Sequence, residues 1–189
     1  MAEKKIKIKR PKAITPKGFR DYFANDVLKR QYLIKTICDA YELFGFEILE
    51  SSAVETVEAL GKYLPDVDRP NQGIFSWQDE ENEWLALRYD LTAPLARVYA
   101  QYQNNLPLPY RRYSFGPVWR NEKPGPGRYR EFRQFDADVI GVQDTNIDAE
   151  LCVMVAKIFD KLGLSSEDYR IKYSNRMIWN ELFKEIKIP

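Results

Sequence analysis

Between residues 25 and 45 apolar side chains recur at helical spacing, at Leu28, Leu33, Ile34, Ile37, Tyr41 and Phe44. Asn25 stands where an N-cap belongs and Gly45 where a helix stops, so the stretch predicts one long amphipathic helix. The pattern then changes. Residues 46–55, FEILESSAVE, read as a strand leading to a short helix over 56–63, and Pro65, Asp66, Asp68 and Pro70 mark a loop. Apolar runs at 73–78 and 83–90 flank the polar DEEN at 79–82, which predicts a hairpin. Thr92 is placed to cap a helix over 93–102, with Pro94 tolerated in its first turn, before NNLPLP at 104–109 forces an extended connection.

Further along, 111–122 and 128–141 are strand-like and are joined by KPGPG, a connection too long for a tight hairpin and too rich in Pro and Gly to be regular. The expectation is a strand pair with a mobile loop. Residues 144–163 predict a second capped amphipathic helix, 169–174 a further strand and 175–186 a closing helix. Hairpins outnumber crossover units and no repeat is present. The fold class is therefore α+β, with an antiparallel or mixed sheet flanked by helices.

Composition narrows the function. The 189 residues are 44% hydrophobic and 14% aromatic, enough for a packed core, and the net charge of +1 offers no overall field to attract a polyanion. Nucleic-acid contacts would have to come from local patches. No run approaches the length of a membrane span, and MAEKKIKIKRPK lacks the apolar region of a secretion signal, so a cytoplasmic address is expected. Its six cations and lack of aromatics suggest a solvated, mobile basic arm over residues 1–13, ahead of a core over 14–189. Cys38 and Cys152 lie in helical apolar patterns without CxxC spacing and read as buried thiols. There is no histidine, which removes Ser-His-Asp and Cys-His arrangements and His-ligated zinc from this sequence.

Arginines and carboxylates remain to carry any chemistry. Alternate strand residues share a face, so Arg130, Phe132, Gln134, Asp136 and Asp138 point one way while Phe135, Ala137 and Val139 point the other. On the preceding strand Arg120 and Glu122 oppose Phe115 and Trp119. An arginine, a stackable ring, an amide and carboxylates suit a ligand with anionic, aromatic and cationic parts, and ATP plus an amino acid fits that description. Arginine's planar fork grips phosphate bidentately, which makes Arg120 the better candidate for a reacting phosphate, with Phe132 offering its face to a base. The same alternation would also serve cross-strand ion pairs on a wet sheet face. A second polar string, Arg88, Asp90 and Thr92, tips the balance toward a site.

Three stretches, PKGFRDY at 16–22, LRYDLTAPLARVYA at 87–100 and GPVWRNEKPGPGRYREFRQFDADVIG at 116–141, resemble histidyl-tRNA synthetases. WRNE with its loop and following strand is similar to motif 2 of class II aminoacyl-tRNA synthetases. The resemblance implies an antiparallel sheet flanked by helices, a homodimer, and two-step chemistry: histidine and ATP give histidyl-adenylate, and the histidyl group passes to tRNA(His). Carried over by residue, it implies that Arg120 holds the α-phosphate, that Glu122 and Arg128 contact ATP, and that Phe132 stacks beneath adenine. Asp90, Thr92, Gln134 and Asp138 would surround the histidine substrate, and Mg2+ would accompany the ATP phosphates without a nameable protein ligand.

Two departures stand out. Ser52 occupies a place where motif 1 of the class usually has proline, and the sequence ends at Pro189, ahead of motif 3 and the anticodon-binding domain. The expectation is the N-terminal part of a catalytic domain, inactive or nearly so by itself. The chief alternative is a non-catalytic paralogue with the same fold, such as the regulatory subunit of ATP phosphoribosyltransferase in histidine biosynthesis. An RNA-binding regulatory domain and a different class II synthetase are further readings.

Overall fold

The chain enters its first helix, α1 (Ala24–Leu43), through Ala24 at φ 37. Asn25 therefore lies within the first turn and is not the cap, while Asp26 supplies the negative charge that a helix N-terminus favours. The predicted stop at Gly45 forms in full. With φ 75, Gly45 donates its N–H to the Glu42 carbonyl at 2.9 Å and Phe46 donates to Tyr41 at 3.1 Å, the paired bonds of a Schellman ending. α1 buries only Ala40 and Tyr41, and apolar residues such as Leu28 and Leu33 stay exposed.

A computed structural model describes residues 12–63, 73–174 and 176–186. Most of the expected basic arm, and the loop of Pro65, Asp66, Asp68 and Pro70, lie outside the described residues. The chain divides into two compact units, one of residues 1–24, 50–105 and 114–136 and the other of residues 25–49, 106–113 and 137–189.

FEILESSAVE, residues 46–55, does not make one strand. It splits into β1 (Glu47–Ile48), which belongs to the second unit's sheet, and β2 (Val54–Thr56), because the chain turns where Ser52 Oγ accepts the Val54 N–H at 3.1 Å. The short helix that follows is a 3-10 helix, Val57–Tyr63, whose Ala59 N–H is met by Thr56 Oγ1 at 3.4 Å. The predicted hairpin forms as β3 (Ser76–Gln78) and β4 (Trp84–Leu87), antiparallel with Trp77 opposite Leu85. Asp79 Oδ1 organises its turn by accepting the N–H groups of Glu81 and Glu83, both at 2.9 Å. β2 pairs antiparallel on the other edge of β4, giving the order β2-β4-β3. Val57, Leu60, Ile74 and Ala86 form a buried cluster against which Tyr89 and Ala93 pack.

α2 (Thr92–Tyr102) follows, and its cap differs from expectation. Thr92 is the first helical residue, and the Asp90 carboxylate caps in its place: Oδ1 accepts from Thr92 N at 3.2 Å and Ala93 N at 2.9 Å. A carboxylate at this end also complements the helix dipole.

The long strands β5 (Tyr110–Trp119) and β6 (Glu131–Ile140) run through both units. In the second unit β1 lies parallel to β5, with Glu47 opposite Arg112, and the sheet order is β1-β5-β6. α3 (Asn146–Lys161) receives no side-chain cap from Thr145, and Asp144 Oδ1 instead accepts the Asn146 N–H at 2.9 Å. The strand expected at 169–174 is irregular chain. Its aromatic residues are engaged side-on: Tyr169 packs edge-wise on Phe159 at 4.6 Å, and the Tyr173 hydroxyl donates to Asp148 at 3.2 Å. α4 (Arg176–Glu185) closes the described chain. Among the described residues, mixed and antiparallel sheets with four α-helices make the fold α+β, as the patterning predicts.

Candidate functional site

The polar stretch between β5 and β6 is closed at its base. Arg120 N donates to the Arg130 carbonyl at 2.8 Å, and Arg130 N donates to the Gly18 carbonyl at 2.7 Å, so the PKGFRDY segment packs against the end of the loop. Gly18 has φ +90, and a Cβ there would lie 2.8 Å from Arg130 Cγ. Within the loop, Gly125 and Arg128 exchange both backbone bonds at 3.1 and 3.0 Å, leaving Pro126 and Gly127 (φ 69) as the central residues of a tight turn. The connection expected to be irregular is thus a miniature hairpin.

Arg120 and Glu122 are drawn together by Tyr89. The Arg120 guanidinium lies over the Tyr89 ring at 4.3 Å and the Phe132 ring at 4.9 Å, and its Nε donates to the Tyr89 carbonyl at 3.4 Å. Glu122 Oε1 accepts the Tyr89 hydroxyl at 2.9 Å, its Oε2 meets Arg128 Nη2 at 3.1 Å, and its carbonyl accepts from Arg130 Nε at 3.0 Å. The Arg128 side chain is 72% exposed, so the tip of the loop presents a positive charge to solvent while its root is tethered. Arginines outnumber the one carboxylate among Arg120, Glu122, Arg128 and Arg130. Such a cluster favours an anionic ligand with a planar ring.

A second cluster of the same unit gathers Thr92, Gln134 and Asp136. Asp136 Oδ2 accepts from Gln134 Nε2 at 3.2 Å and from Thr92 Oγ1 at 3.4 Å, while Asp90 caps α2 beside Thr92. Gln134 Oε1 is buried with no hydrogen-bond partner among the described residues. An unfilled buried acceptor suits an N–H donor from a ligand. Asp136 was not among the expected site residues, although its position two residues from both Gln134 and Asp138 placed it on their face.

Asp138 belongs to the second unit, where its Oδ2 lies 2.8 Å from Nη2 of the fully buried Arg112. Sequence reasoning missed Arg112. The signal was the doublet Arg111-Arg112: in a strand, neighbours face opposite sides, so one of the two had to turn inward. Arg88 corrects a different expectation. It does not join Asp90 and Thr92 in a polar string but is buried, with Nε donating to the Pro117 carbonyl and Nη1 to the Ser51 carbonyl, both at 2.9 Å. Burial pushes its guanidinium below the ordinary value, against the pull of Glu55. Trp119, expected on the apolar face, is half-buried and donates its indole N–H to Glu131 at 2.8 Å.

Comparison with known proteins gives one answer. The family described as Histidyl-tRNA synthetase matches residues 18–189. A histidine--tRNA ligase of a Ruegeria species is 61% identical over 175 residues, 90% of this chain and 35% of that protein. The histidine--tRNA ligase of Paracoccus denitrificans is 55% identical over 194 residues, 100% of this chain and 39% of that protein. The chain thus spans about 35–39% of the length of these curated relatives. Among solved structures, histidyl-tRNA synthetase from a Nostoc species superposes with a TM-score of 0.67 at 32% identity, over 79% of this chain and 34% of that one. A Bacillus halodurans protein titled as an ATP phosphoribosyltransferase regulatory subunit/histidyl-tRNA synthetase gives 0.71 at 25% identity, covering 83% of this chain and 40% of that one. The chain belongs to the histidyl-tRNA synthetase family and has the α+β fold of its class II catalytic domains.

Proposed function

We propose that this chain supplies the ATP and amino-acid contacts of a histidine-activating enzyme, which joins histidine to ATP as histidyl-adenylate and then charges tRNA(His). The observation that carries the reading is the Arg120 guanidinium held at the mouth of the 120–130 loop by Tyr89 and Phe132, with Arg128 exposed at the loop tip. Attack of the histidine carboxylate on the α-phosphorus brings two anions together while negative charge moves onto pyrophosphate. Fixed guanidinium groups lower that repulsion without reorganising during the reaction. In this reading Arg120 grips the α-phosphate, Arg128 and Glu122 engage the nucleotide, and Phe132 gives adenine the ring face that Arg120 does not cover. Asp90, Thr92, Gln134 and Asp138 hold the histidine, with Gln134 Oε1 accepting one of its N–H groups.

Mg2+ would accompany ATP and, as a hard cation that prefers oxygen ligands, would offset the negative charge of the phosphates. Among the described residues no three His, Cys, Asp or Glu side chains gather into a ready-made metal cage. Homodimerisation and a cytoplasmic address belong to the same proposal; among the described residues no helix is long and apolar enough to cross a membrane.

Likeness to the Bacillus halodurans protein, whose title carries both names, supports a second reading as a regulatory subunit that binds histidine without charging tRNA. Aminoacylation separates the two. The full-length polypeptide is incubated with ATP, labelled histidine and tRNA(His): acid-precipitable label is expected, and its absence in a folded, histidine-binding protein would favour the regulatory reading.

A further inference from the structure

Arg112 occupies the buried face of β5, and none of its side chain reaches solvent. Removing a guanidinium from water is costly, and an aliphatic residue would fill a strand position without that cost. The charge is matched at Asp138, whose Oδ2 lies 2.8 Å from Arg112 Nη2. Asp138 Oδ2 is itself buried, while the Asp138 side chain as a whole keeps 32% of its surface.

Asp138 lines a cleft of about 400 Å³ in the second unit, together with Val139, Asp144, Asp148, Leu151 and Met177. Two of its three carboxylates have local duties. Asp144 accepts from the backbone and side-chain amides of Asn146 at 2.9 and 3.0 Å, and Asp148 accepts the Tyr173 hydroxyl at 3.2 Å. Asp138 alone of the three is backed by a buried cation.

We infer that Arg112 is a positioning residue for histidine recognition: it anchors one oxygen of Asp138 so that the other is presented as a fixed acceptor to an N–H of the amino acid. This rests on the proposed role of Asp138 in holding histidine. The pairing has a second consequence. A bare carboxylate attracts any cationic group, whereas one already compensated by a guanidinium selects by hydrogen-bond geometry more than by charge. Arg112 touches no substrate atom in this account and acts through Asp138.

The test uses the full-length polypeptide with Arg112→Met, Asp138→Asn and the double substitution. Histidine-dependent exchange of pyrophosphate into ATP is measured with histidine and ATP varied separately, beside thermal unfolding. Arg112→Met is expected to raise the histidine KM about tenfold, as the loss of one charge-assisted contact does, while the ATP KM stays near wild type. The double variant is expected to be no worse than Asp138→Asn alone, because Arg112 has no route to histidine once the carboxylate is gone. Additive effects, an unchanged histidine KM, or both KM values rising together would overturn the inference. If Arg112→Met does not fold, Arg112→Lys retains the charge without the fork; an intermediate histidine KM supports the role and a wild-type KM overturns it. Absence of histidine-dependent exchange in the wild type would instead remove the proposed activity, and the positioning role with it.

Discussion

The backbone N–H of Arg120 donates to the carbonyl of Arg130 at 2.8 Å, so the residue proposed to grip phosphate stands at the pinned base of the loop and not on its exposed tip. Arg130 in turn donates to Gly18 at 2.7 Å, and its side chain fills the space where a Cβ of residue 18 would lie. A phosphate grip benefits from this arrangement. The gripping side chain keeps its place while the Arg128 guanidinium, paired with Glu122 and 72% exposed, stands open to a ligand at the loop tip.

Gly18→Ala is expected to loosen that base. At φ +90 an alanine is strained, and its Cβ would lie 2.8 Å from Arg130 Cγ, so a loss of about 1–3 kcal/mol is expected in urea unfolding. Trypsin cleavage after Arg128 and Arg130 should quicken in the same variant. Unchanged stability together with unchanged cleavage would show that the Gly18 contact does not hold the loop.

Arg88 is predicted to matter through folding, in contrast to Arg120. Arg88→Met leaves the carbonyls of Pro117 and Ser51 without their donor, and is expected to cost about 2–4 kcal/mol. Gly116→Ala acts on the same contact, because its Cβ would fall 2.5 Å from Arg88 Nη2 and the guanidinium cannot withdraw without giving up those carbonyls. Chemical denaturation of the two variants would expose the idea as wrong if both retained wild-type stability.

Cys38 is free and half-buried, and burial, aided by the nearby Glu42 charge, pushes its thiol above the ordinary value. The thiolate is the reactive form, so raising the pKa leaves less of it at any given pH. Iodoacetamide labelling of Cys38, followed by peptide mass spectrometry, is expected to be slow at pH 8 and to accelerate only on going more alkaline or on unfolding. Rapid labelling of the folded protein at pH 8 would contradict this.

How much of this was legible in the sequence depends on whether the signal was local. The Gly45 ending and the β3–β4 hairpin were readable because each rests on residues a few positions apart: a glycine that accepts φ 75, and a polar tetrad whose Asp79 closes its own turn. Strand parity likewise put Phe132, Gln134 and Asp136 on one face of β6, and Gln134 does reach Asp136. The misses are of another kind. Asp90 outcompetes Thr92 as cap because its carboxylate reaches two N–H groups at once. Residues 169–174 alternate like a strand, yet Tyr169 and Tyr173 find partners on α3 and the backbone never joins a sheet. Arg112 meets Asp138, and Arg88 meets Pro117, through registers between distant segments that no single-stretch pattern encodes.

The central claim is that Arg120 holds the α-phosphate during histidine activation, and histidine-dependent exchange of labelled pyrophosphate into ATP by the full-length polypeptide tests it most directly. Exchange in the wild type that falls about a hundredfold in Arg120→Ala, as loss of one preorganised charge-stabilising contact predicts, with thermal unfolding unchanged, is the expected result. Exchange that persists at wild-type rate in a folded Arg120→Ala protein would contradict the account.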